Sequence, residues 1–332
     1  MGQPVRSASG TELPRSRFRC RLDDQPDHLV PQSFLLRPGF WEGLTDRPLF
    51  VNPHCRFPGN GEPPQEIDIR SWPRENFAAP NEILWVTDPG SGAVHPFWLG
   101  PKFAALLSGA QPGHPAPSGL SPEALSVLCM ANLLVLENYA SDRRKQWNAI
   151  VSVCRPQFQT RGYVPVARLI HPFHLAALRR YYRHQIRTGK ISLGDYQSSR
   201  RYVVHNEGVA RFFHQQLTAT VAAIAGEPVK PSYVYLASYQ PGAILKKHTD
   251  REQCEFSITL CLDYAPEPRS VTPWPLQLHT ESGKVTVHQA IGDALLYRGR
   301  EIPHSRDPLP EAHTSTSIFF HYVRENFAGS LD

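Results

Sequence analysis

The sequence predicts an α+β fold in which helices precede a β-rich carboxyl-terminal part. Two stretches, one opening at Pro172 and one at Val209, repeat apolar residues at helical spacing and end at Gly189 and Gly226. Past Pro231 the apolar residues alternate instead, in seven short runs separated by Pro, Gly or charged residues. Seven short strands in about ninety residues are typical of a sandwich or a barrel.

The individual elements follow from the same periodicities. Ser121 is placed to cap a helix with Pro122 at its first position, and leucines follow at helical spacing as far as Leu136. A strand is predicted over residues 83–86 and a short helix over residues 98–107, whereas residues 34–80 are punctuated by Pro and Gly and predict irregular structure. The predicted strands of the β-rich part are residues 233–239, 243–250, 254–264, 275–280, 284–288, 293–298 and 314–323.

Composition divides the chain into three parts. Residues 1–30 are polar, rich in Arg and Pro and without apolar periodicity, which indicates a flexible leader. Residues 31–164 are predicted to form a mixed α/β accessory domain, and residues 165–332 the β-rich domain with the helices at 172–226 on its outside. The elements between Ile83 and Leu136 are faintly similar to winged-helix domains that present leader peptides to peptide-modifying enzymes. The alternative is an extension that shapes the substrate pocket or a dimer surface.

Overall composition argues against several classes of protein. The chain of 332 residues has 35 basic and 30 acidic residues without long Lys/Arg runs, so nucleic acid is not an expected partner. Six cysteines without a Cys-x-x-Cys pair predict neither a zinc knuckle nor a disulfide scaffold, and reduced thiols are expected. The sequence has no apolar signal region and no run approaching the ~18 apolar residues of a membrane helix. We therefore expect a soluble, cytoplasmic protein.

A candidate metal site begins at the end of one predicted strand. In His248-Thr249-Asp250 the His and the carboxylate are two positions apart, so the strand period aims both at one face. The alternative is a strand end with a solvated His and a turn-forming Asp. His304 is the natural third ligand, 56 residues further on (304 − 248) after a strand and a short turn. Two histidines and one carboxylate on one face of an octahedron leave three positions free, the arrangement of non-haem iron(II) oxygenases.

Three stretches resemble the 2-oxoglutarate- and iron(II)-dependent oxygenases, in particular the branch similar to prolyl 4-hydroxylases: SYQPGAILKKHTD, IGDALLYRG and PHSRDPLP. The resemblance covers residues 165–325 and includes a Tyr nine residues before the first metal His, here Tyr239 (248 − 239). It implies a double-stranded β-helix (jelly roll, cupin-like), with iron held by the residues that match His248, Asp250 and His304. It further implies that O2 and 2-oxoglutarate are consumed, with ascorbate as a reductant, and that an unactivated carbon is hydroxylated.

One position departs from the pattern of that family. A Lys or Arg usually follows the second His by about ten residues and pairs with the far carboxylate of 2-oxoglutarate, but Thr314 stands there. A buried dicarboxylate needs a cationic partner, because an unpaired buried charge is costly. Arg306 and Arg298 are the nearest basic candidates, and hydroxyl groups that could add hydrogen bonds belong to Thr314, Thr316 and Tyr239.

Several other polar residues are predicted to have structural roles. Histidines on strands are more often satisfied structural residues than ligands, which applies to His279, His288, His313 and His321. Lys246 and Lys247 suggest a solvated strand edge, and Trp274 a packed loop residue at the pocket rim. The arginines at positions 179, 180, 183, 187, 200 and 201 suggest a solvated helix face.

Three hypotheses for the function remain. The first is a 2-oxoglutarate-dependent dioxygenase acting on an amino acid, a peptide or protein, or a small metabolite. The second is a β-helix protein that binds a metal or small ligand without turnover, since a fold does not entail an activity. The third is an iron oxygenase that takes its electrons from the substrate instead of 2-oxoglutarate. The missing cation at Thr314 keeps the last two open.

Overall fold

The structure, a computed structural model, describes residues 17–25, 47–58, 67, 75–78 and 82–332. Its amino-terminal half is mixed. A 3-10 helix, Leu22–Asp24, comes first, followed by short strands, two short helices and one long helix. The elements are β1 (Phe50–Val51), β2 (Cys55–Arg56), β3 (Ile83–Thr87), β4 (Val94–Trp98), α1 (Gly100–Leu106), α2 (Pro122–Met130), β5 (Leu134–Val135) and α3 (Tyr139–Arg161).

The carboxyl-terminal half contains three helices and most of the strands. One helix follows the first strand of this half, and two further helices follow the next two strands. The rest of the chain is β-structure. The elements are β6 (Tyr163–Val166), α4 (Pro172–Arg187), β7 (Ser192–Leu193), β8 (Arg201–His205), α5 (Gly208–Gln216), α6 (Thr218–Ala225), β9 (Val229–Tyr239), β10 (Leu245–His248), β11 (Phe256–Ala265), β12 (Leu276–Thr280), β13 (Gly283–Val287), β14 (Ala294–Tyr297), β15 (His304–Arg306) and β16 (Thr314–Arg324).

Two antiparallel sheets dominate this half. The larger has seven strands in the order β6-β14-β11-β16-β9-β8-β7, and the smaller has four in the order β10-β15-β12-β13. Smaller sheets in the other half are β2-β3-β4 and the pair β1-β5. The predicted α+β class, with helices beside antiparallel sheets, is therefore confirmed.

The helices are anchored by caps that the sequence supplies. Pro172 opens α4, and the Nδ1 atom of His171 accepts a hydrogen bond from the backbone N–H of Phe173. The Glu207 carboxylate caps α5 by accepting from the N–H groups of Val209 and Ala210. It also accepts from the hydroxyl groups of two tyrosines of α4. One carboxylate thus fixes the start of α5 and its position against α4.

The hydrophobic core is continuous across the two halves. One cluster of buried side chains runs from Phe18 to Tyr322, and the Phe18 ring contacts the rings of Trp98, Tyr181 and Phe213. A second cluster lies between the seven- and four-stranded sheets, because it joins residues of β12 and β13 to residues of β14. Its members are Leu276, Leu278, Val287, Leu295, Tyr297 and Ile302.

All seven predicted strands of the β-rich part are present, with ends shifted by a few residues. The elements that escaped prediction are helix α3 and strands β4, β5, β6, β7, β8 and β15. Helix α3 has 23 residues but buries only Cys154 and Phe158, so it has no apolar stripe. Strand β15 has three residues, too few for a period of two to be visible.

One predicted helix is in fact two. The single helix expected over residues 209–226 is interrupted at Leu217, whose φ of −87° and ψ of −7° end α5 and start α6. The predicted strand at 83–86 and the helices at 98–107 and 121–136 correspond to β3, α1 and a shorter α2.

The predicted division of the chain remains a prediction. Its boundary at residue 164/165 falls inside β6, which pairs with β14 of the large sheet. Most of the predicted leader lies outside the described residues, and within it Phe18, Cys20 and Leu22 are buried. Much of the predicted irregular stretch, residues 34–80, likewise lies outside them. None of the described helices combines the length and apolarity that crossing a membrane requires.

Candidate metal centre

Three polar side chains meet between the two large sheets. His248 ends β10, Asp250 follows it by two residues, and His304 begins the neighbouring strand β15. One ligand atom from each lies within 4.8 Å of the other two. The Oδ1 atom of Asp250 is 3.4 Å from Nε2 of His304 and 3.7 Å from Nε2 of His248. Residues 56 positions apart in sequence therefore converge on one point.

A β-bulge aligns the two histidines. Leu245 pairs with Arg306, and His248 pairs with His304, so three steps along β10 (248 − 245) match two along β15 (306 − 304). In a regular ladder His248 would face Pro303 instead. The extra residue re-aims the end of β10, as bulges beside functional sites often do.

Each imidazole presents one nitrogen to the centre and has its other nitrogen engaged. The Nδ1 of His248 is 2.7 Å from the Lys246 carbonyl oxygen, and the Nδ1 of His304 is 3.1 Å from that of Ile302. A carbonyl oxygen can only accept, so each Nδ1 carries a proton that it donates. Both Nε2 atoms are therefore unprotonated, and that of His304 accepts a hydrogen bond of 3.4 Å from the Tyr297 hydroxyl, which a bound metal would replace. This backbone support is the usual arrangement behind metal-bound histidines.

The carboxylate of Asp250 is fixed from behind. Its Oδ2 accepts a hydrogen bond of 2.8 Å from the Ser257 hydroxyl, and its backbone N–H donates to the Gly299 carbonyl at 2.9 Å. A Cβ atom at Gly299 would overlap both Asp250 Oδ2 and Ser257 Oγ, so this position has room only for glycine. Since the serine proton points at Asp250, the Nδ1 of His321, 2.9 Å from the same Oγ, must donate to it.

The electrostatics keep the ligands in binding-competent forms. Burial alone would raise the pKa of Asp250, but the adjacent His304 imidazole, together with His321 and the Ser257 hydroxyl, holds that pKa well below its usual range. Burial, reinforced by the neighbouring His304, lowers the pKa of His248. A carboxylate and a neutral imidazole are the states that bind a metal.

A second set of donors shares Asp250. Ligand atoms of Asp250, Cys254 and His321 also lie within 4.8 Å of one another. The Cys254 sulfur is 3.2 Å from the Tyr233 hydroxyl, and burial raises the pKa of this thiol to about 12. A neutral thiol is a weak ligand, so the pair of histidines with Asp250 is the better donor set for a hard divalent ion.

A cavity of about 140 Å³ opens beside the triad. Its walls include Tyr235, Tyr239 and Phe319 of the seven-stranded sheet and, from β8, Arg201. Arg201 is only 3% exposed and pairs with Asp195 at 2.5 Å, while its guanidinium lies 5.4 Å from the Tyr235 ring centre. The prediction that Arg201 is solvated is therefore wrong, because a carboxylate on the adjoining turn neutralises it inside the fold.

Arg306 is buried in the same interior without an acidic partner. It lies two positions after His304 on β15, so the two side chains share a face. The guanidinium donates to the Trp274 carbonyl at 2.6 Å and to Gln289 Oε1 at 3.4 Å, and it lies 4.6 Å from the Trp274 ring centre. Among the described residues no carboxylate lies within 4 Å of it, and burial lowers its pKa. A buried cation without a carboxylate partner is a candidate binding site for an anionic ligand.

Of the other residues predicted to bind the co-substrate, only one lines the cavity beside the triad. Tyr239 lines the cavity, is 2% exposed and packs against Trp274 with ring centres 5.0 Å apart. Thr314 and Thr316 line a groove against α4, and Thr316 Oγ1 donates to Ser238. Arg298 pairs with Glu301 and stacks on Phe158. The structure thus brings Tyr239 and Arg306 towards the triad and leaves Thr314, Thr316 and Arg298 elsewhere.

The basic residues of α4 differ from expectation as well. Arg179 is 1% exposed and forms ion pairs with Asp263 and Glu267, and Arg183 also binds Asp263. The prediction of a solvated face is wrong for Arg179, because Asp263 of β11 lies opposite. His321, expected to be structural, supports Asp250 through Ser257. No regular sequence spacing links Ser257, His321 and Asp250, so these hydrogen bonds could not be predicted from the sequence.

Comparison with known proteins gives similarity in structure only. No family model matches the sequence, and no curated protein is significantly similar to it. A prolyl-4-hydroxylase from Pseudomonas putida aligns over 53% of this chain and all of its own, with 17% identity and a TM-score of 0.42. The epimerase SnoN from nogalamycin biosynthesis, in complex with Fe3+ and alpha-ketoglutarate, aligns over 53% of this chain and 84% of its own, with 14% identity and a TM-score of 0.44.

A third similar structure is HygX from Streptomyces hygroscopicus with nickel, 2-oxoglutarate and hygromycin B bound. It aligns over 53% of this chain and 88% of its own, with 12% identity and a TM-score of 0.43. These three alignments each cover about half of this chain, at TM-scores below 0.5.

Proposed function

We propose that this protein is an iron(II)- and 2-oxoglutarate-dependent dioxygenase that hydroxylates an unactivated carbon of an amino-acid, peptide or small-metabolite substrate. The metal ligands are His248, Asp250 and His304. We also propose that the seven- and four-stranded sheets together form a double-stranded β-helix, since one hydrophobic cluster fills the space between them. The observation that carries the proposal is the convergence of the three ligand atoms with both imidazoles oriented by backbone carbonyls.

The donor set fits iron(II). Two neutral imidazole nitrogens and one carboxylate oxygen on one face are the ligands of non-haem iron oxygenases, and the hydrogen bond from Ser257 occupies the second oxygen of Asp250. When bound, the iron supplies the redox chemistry by which O2 and 2-oxoglutarate oxidise a carbon centre. The protein's task is to present the three donors in fixed orientation and to leave the opposite face open towards the cavity.

Arg306 and Tyr239 are proposed to hold the far carboxylate of 2-oxoglutarate. Arg306 lies two residues after His304, and two residues along a strand span about 6.6 Å. This separation is roughly the distance between the two carboxyl groups of a five-carbon diacid. The buried guanidinium lacks a counter-ion, and burial raises the pKa of Tyr239 against the opposing charges of Arg201 and Arg306, so its hydroxyl remains a donor. A carboxylate between them would satisfy both groups. This arrangement would replace the cation missing at Thr314.

The test is succinate formation by the full chain. Metal-free protein is supplied with iron(II), 2-oxoglutarate and ascorbate under air, and succinate is measured with His248→Ala as the control. We expect slow succinate release without added substrate, and none from the variant. Iron bound by the three ligands with no succinate, even with substrate candidates, would favour an oxygenase that draws electrons from its substrate, or a binding protein. Absence of iron binding would overturn the metal site itself.

A further inference from the structure

A second cavity, of about 150 Å³, lies apart from the metal centre and shares none of its lining residues. It is enclosed by the β3–β4 turn, by α3, by the chain after β6 and by the α5–α6 pair. We propose that this cavity is a binding site for a neutral, single-ring aromatic molecule that carries one hydroxyl or comparable hydrogen-bonding group.

One side of the cavity is a rigid polar edge. Asp88 and Arg143 form an ion pair at 2.9 Å, and the same carboxylate accepts hydrogen bonds from the Ser91 hydroxyl and the Gly90 N–H. A Cβ at Gly90 would meet Trp147 at 2.8 Å, so glycine allows this turn to lie directly on α3. The two charges cancel each other. Among the described residues, Arg168 is the one further charged side chain that lines the cavity, and it already has an interaction partner. A charged ligand would therefore have to displace an existing partner and would lose its hydration.

Unused hydrogen-bonding groups stand next to this ion pair. Neither ring nitrogen of His95 and no atom of the Tyr139 hydroxyl has a hydrogen-bond partner among the described residues, and both side chains line the cavity. Burial lowers the pKa of His95, so its imidazole is neutral and offers one donor and one acceptor. Both side chains are half-buried, so water satisfies these groups when no ligand is bound, and a ligand that carries a hydroxyl group would take the place of that water.

Much of the remaining wall is apolar and includes Trp147, Leu169, Phe213 and Ile224. The polar side chains between them belong to Asn132, Arg168, His171, Gln216 and Thr220. Ile150, also a lining residue, is 42% exposed, so the cavity opens to solvent beside α3. An apolar pocket with a few convergent polar groups is the usual form of a small-molecule site.

Size, shape and charge together define the ligand class. A cavity of about 150 Å³ accommodates one benzene-sized ring. The aromatic walls favour a planar ring, and the self-neutralised ion pair favours a neutral one. The free groups of His95 and Tyr139 favour a substituent that can donate and accept.

The experiment uses fluorine NMR on the full, metal-free chain with four probes. These are 4-fluorophenol, fluorobenzene, 4-fluorobenzoate and 4-fluorobenzylamine. We expect 4-fluorophenol to bind with a sub-millimolar Kd, about fivefold more tightly than fluorobenzene, since one hydrogen bond contributes about 1 kcal/mol. The two charged probes should bind at least tenfold more weakly than the phenol. Equal binding of all four, or no binding at millimolar concentration, would overturn the proposal.

Variants locate the probe. Tyr139→Phe should weaken 4-fluorophenol several-fold and leave fluorobenzene unchanged, whereas the matched control Tyr163→Phe, outside the cavity, should change neither. Val166→Phe places a ring in the cavity and should abolish binding of both, with an unchanged far-UV spectrum showing that the chain is folded. Phenol binding that survives Val166→Phe, or that responds equally to the two tyrosine variants, would place the probe elsewhere and contradict the site.

Discussion

At the scale of single residues, the orientation of the two histidines is set by the backbone. Each Nδ1 donates to the carbonyl oxygen two positions earlier, Lys246 for His248 and Ile302 for His304. Neither ring can rotate without losing that hydrogen bond. The two Nε2 atoms therefore face Asp250 before any ion arrives, and little reorganisation is left for binding.

Arg306 gives the first prediction. Arg306→Met removes a buried cation that has no carboxylate within 4 Å among the described residues, so we expect the KM for 2-oxoglutarate to rise roughly 10- to 100-fold, the value of one or two charge-assisted hydrogen bonds. Iron affinity should stay the same, because Arg306 touches no ligand. Succinate formation at varied 2-oxoglutarate concentration measures the first effect.

Arg298→Met is the matched control for Arg306. Arg298 is the other predicted anchor, but its guanidinium faces Glu301 and Phe158. We expect its KM for 2-oxoglutarate to be that of the unaltered chain. If Arg298→Met or Arg201→Met raises the KM and Arg306→Met does not, the anchor has been assigned to the wrong arginine.

Ser257 gives the second prediction. Its hydroxyl occupies Asp250 Oδ2 and leaves Oδ1 for the metal. In Ser257→Ala both oxygens are free to chelate, so we expect an altered d–d spectrum of bound cobalt(II) and a 10- to 100-fold lower metal affinity, as is usual when the support of a ligand is lost. Ser257→Thr should restore both.

Ser305→Ala is the control for Ser257. Ser305 adjoins His304 in sequence, but its hydroxyl contacts Gln277 and His279 on the other face of β15. We expect the cobalt spectrum and affinity to be unchanged. An unaltered spectrum in Ser257→Ala would show that the serine does not control how Asp250 binds.

Residue spacing predicted part of this site and could not predict the rest. His248, Asp250 and His304 show their pattern in sequence, because strand periodicity aligns two of them and the next turn delivers the third. Arg201 and Arg179 looked solvated, because burial of a long cation depends on a carboxylate supplied by another element: Asp195 for one and Asp263 for the other. No pattern within one segment records such a partner.

At the scale of secondary-structure elements, two local irregularities position the candidate metal ligands. The bulge on β10 and the three-residue strand β15 place the ligands, yet both are invisible to periodicity, since one adds a residue and the other is too short. The seven strands that were predicted in the β-rich part have four residues or more, although β4 and β8, with five residues each, were not predicted. Helix α3 was not predicted because only two of its 23 side chains are buried, so its sequence shows no apolar stripe.

The contact between α5 and β16 gives a pH-dependent prediction. His214 of α5 is 2% exposed and its Nε2 donates to the His321 carbonyl at 2.7 Å, while burial lowers its pKa from 6.5 to about 3. The unfolded chain therefore takes up a proton below pH 6.5 that the folded chain refuses. Stability from this group is complete above pH 6.5 and is lost as the pH falls towards 3.

We expect His214 to lower the free energy of unfolding by about 2 kcal/mol at pH 5 relative to pH 7.5. His214→Gln keeps a donor for the His321 carbonyl and removes the titrating ring, so its loss of stability over this interval should be smaller by that amount. Urea denaturation at the two pH values measures it. The exposed His114→Gln is the control, and an equal loss in both variants would contradict the assignment.

At the scale of the whole molecule, the two halves share one core. Phe77 and Trp98 pack on each other and, with Phe18, against aromatic rings of α4 and α5. Sequence composition suggested separate parts, because Pro- and Gly-rich stretches look like linkers. Which apolar residues meet across such stretches depends on the folded topology, so the sequence did not record it.

This shared core predicts the behaviour of a truncated chain. A fragment of residues 165–332, the predicted β-rich domain, would expose Tyr181, Phe212 and Phe213 and would lose half of β6 together with α3. We expect it to aggregate or to melt without cooperativity, as followed by calorimetry and gel filtration. A fragment that melts cooperatively near the temperature of the full chain would show that the domains are independent after all.

The strand β10 has a consequence for how the ion enters and leaves. It is the outermost strand of the four-stranded sheet, it pairs only with β15, and the side chain of His248 is 39% exposed against 3% for His304. Asp250 and His304 are thus held by the interior of the protein, whereas His248 lies on an edge strand. This edge strand can open locally without disturbing the interior. Binding of the proposed iron would therefore tie strand β10 to the rest of the sheet, and its release would require only that this edge strand open.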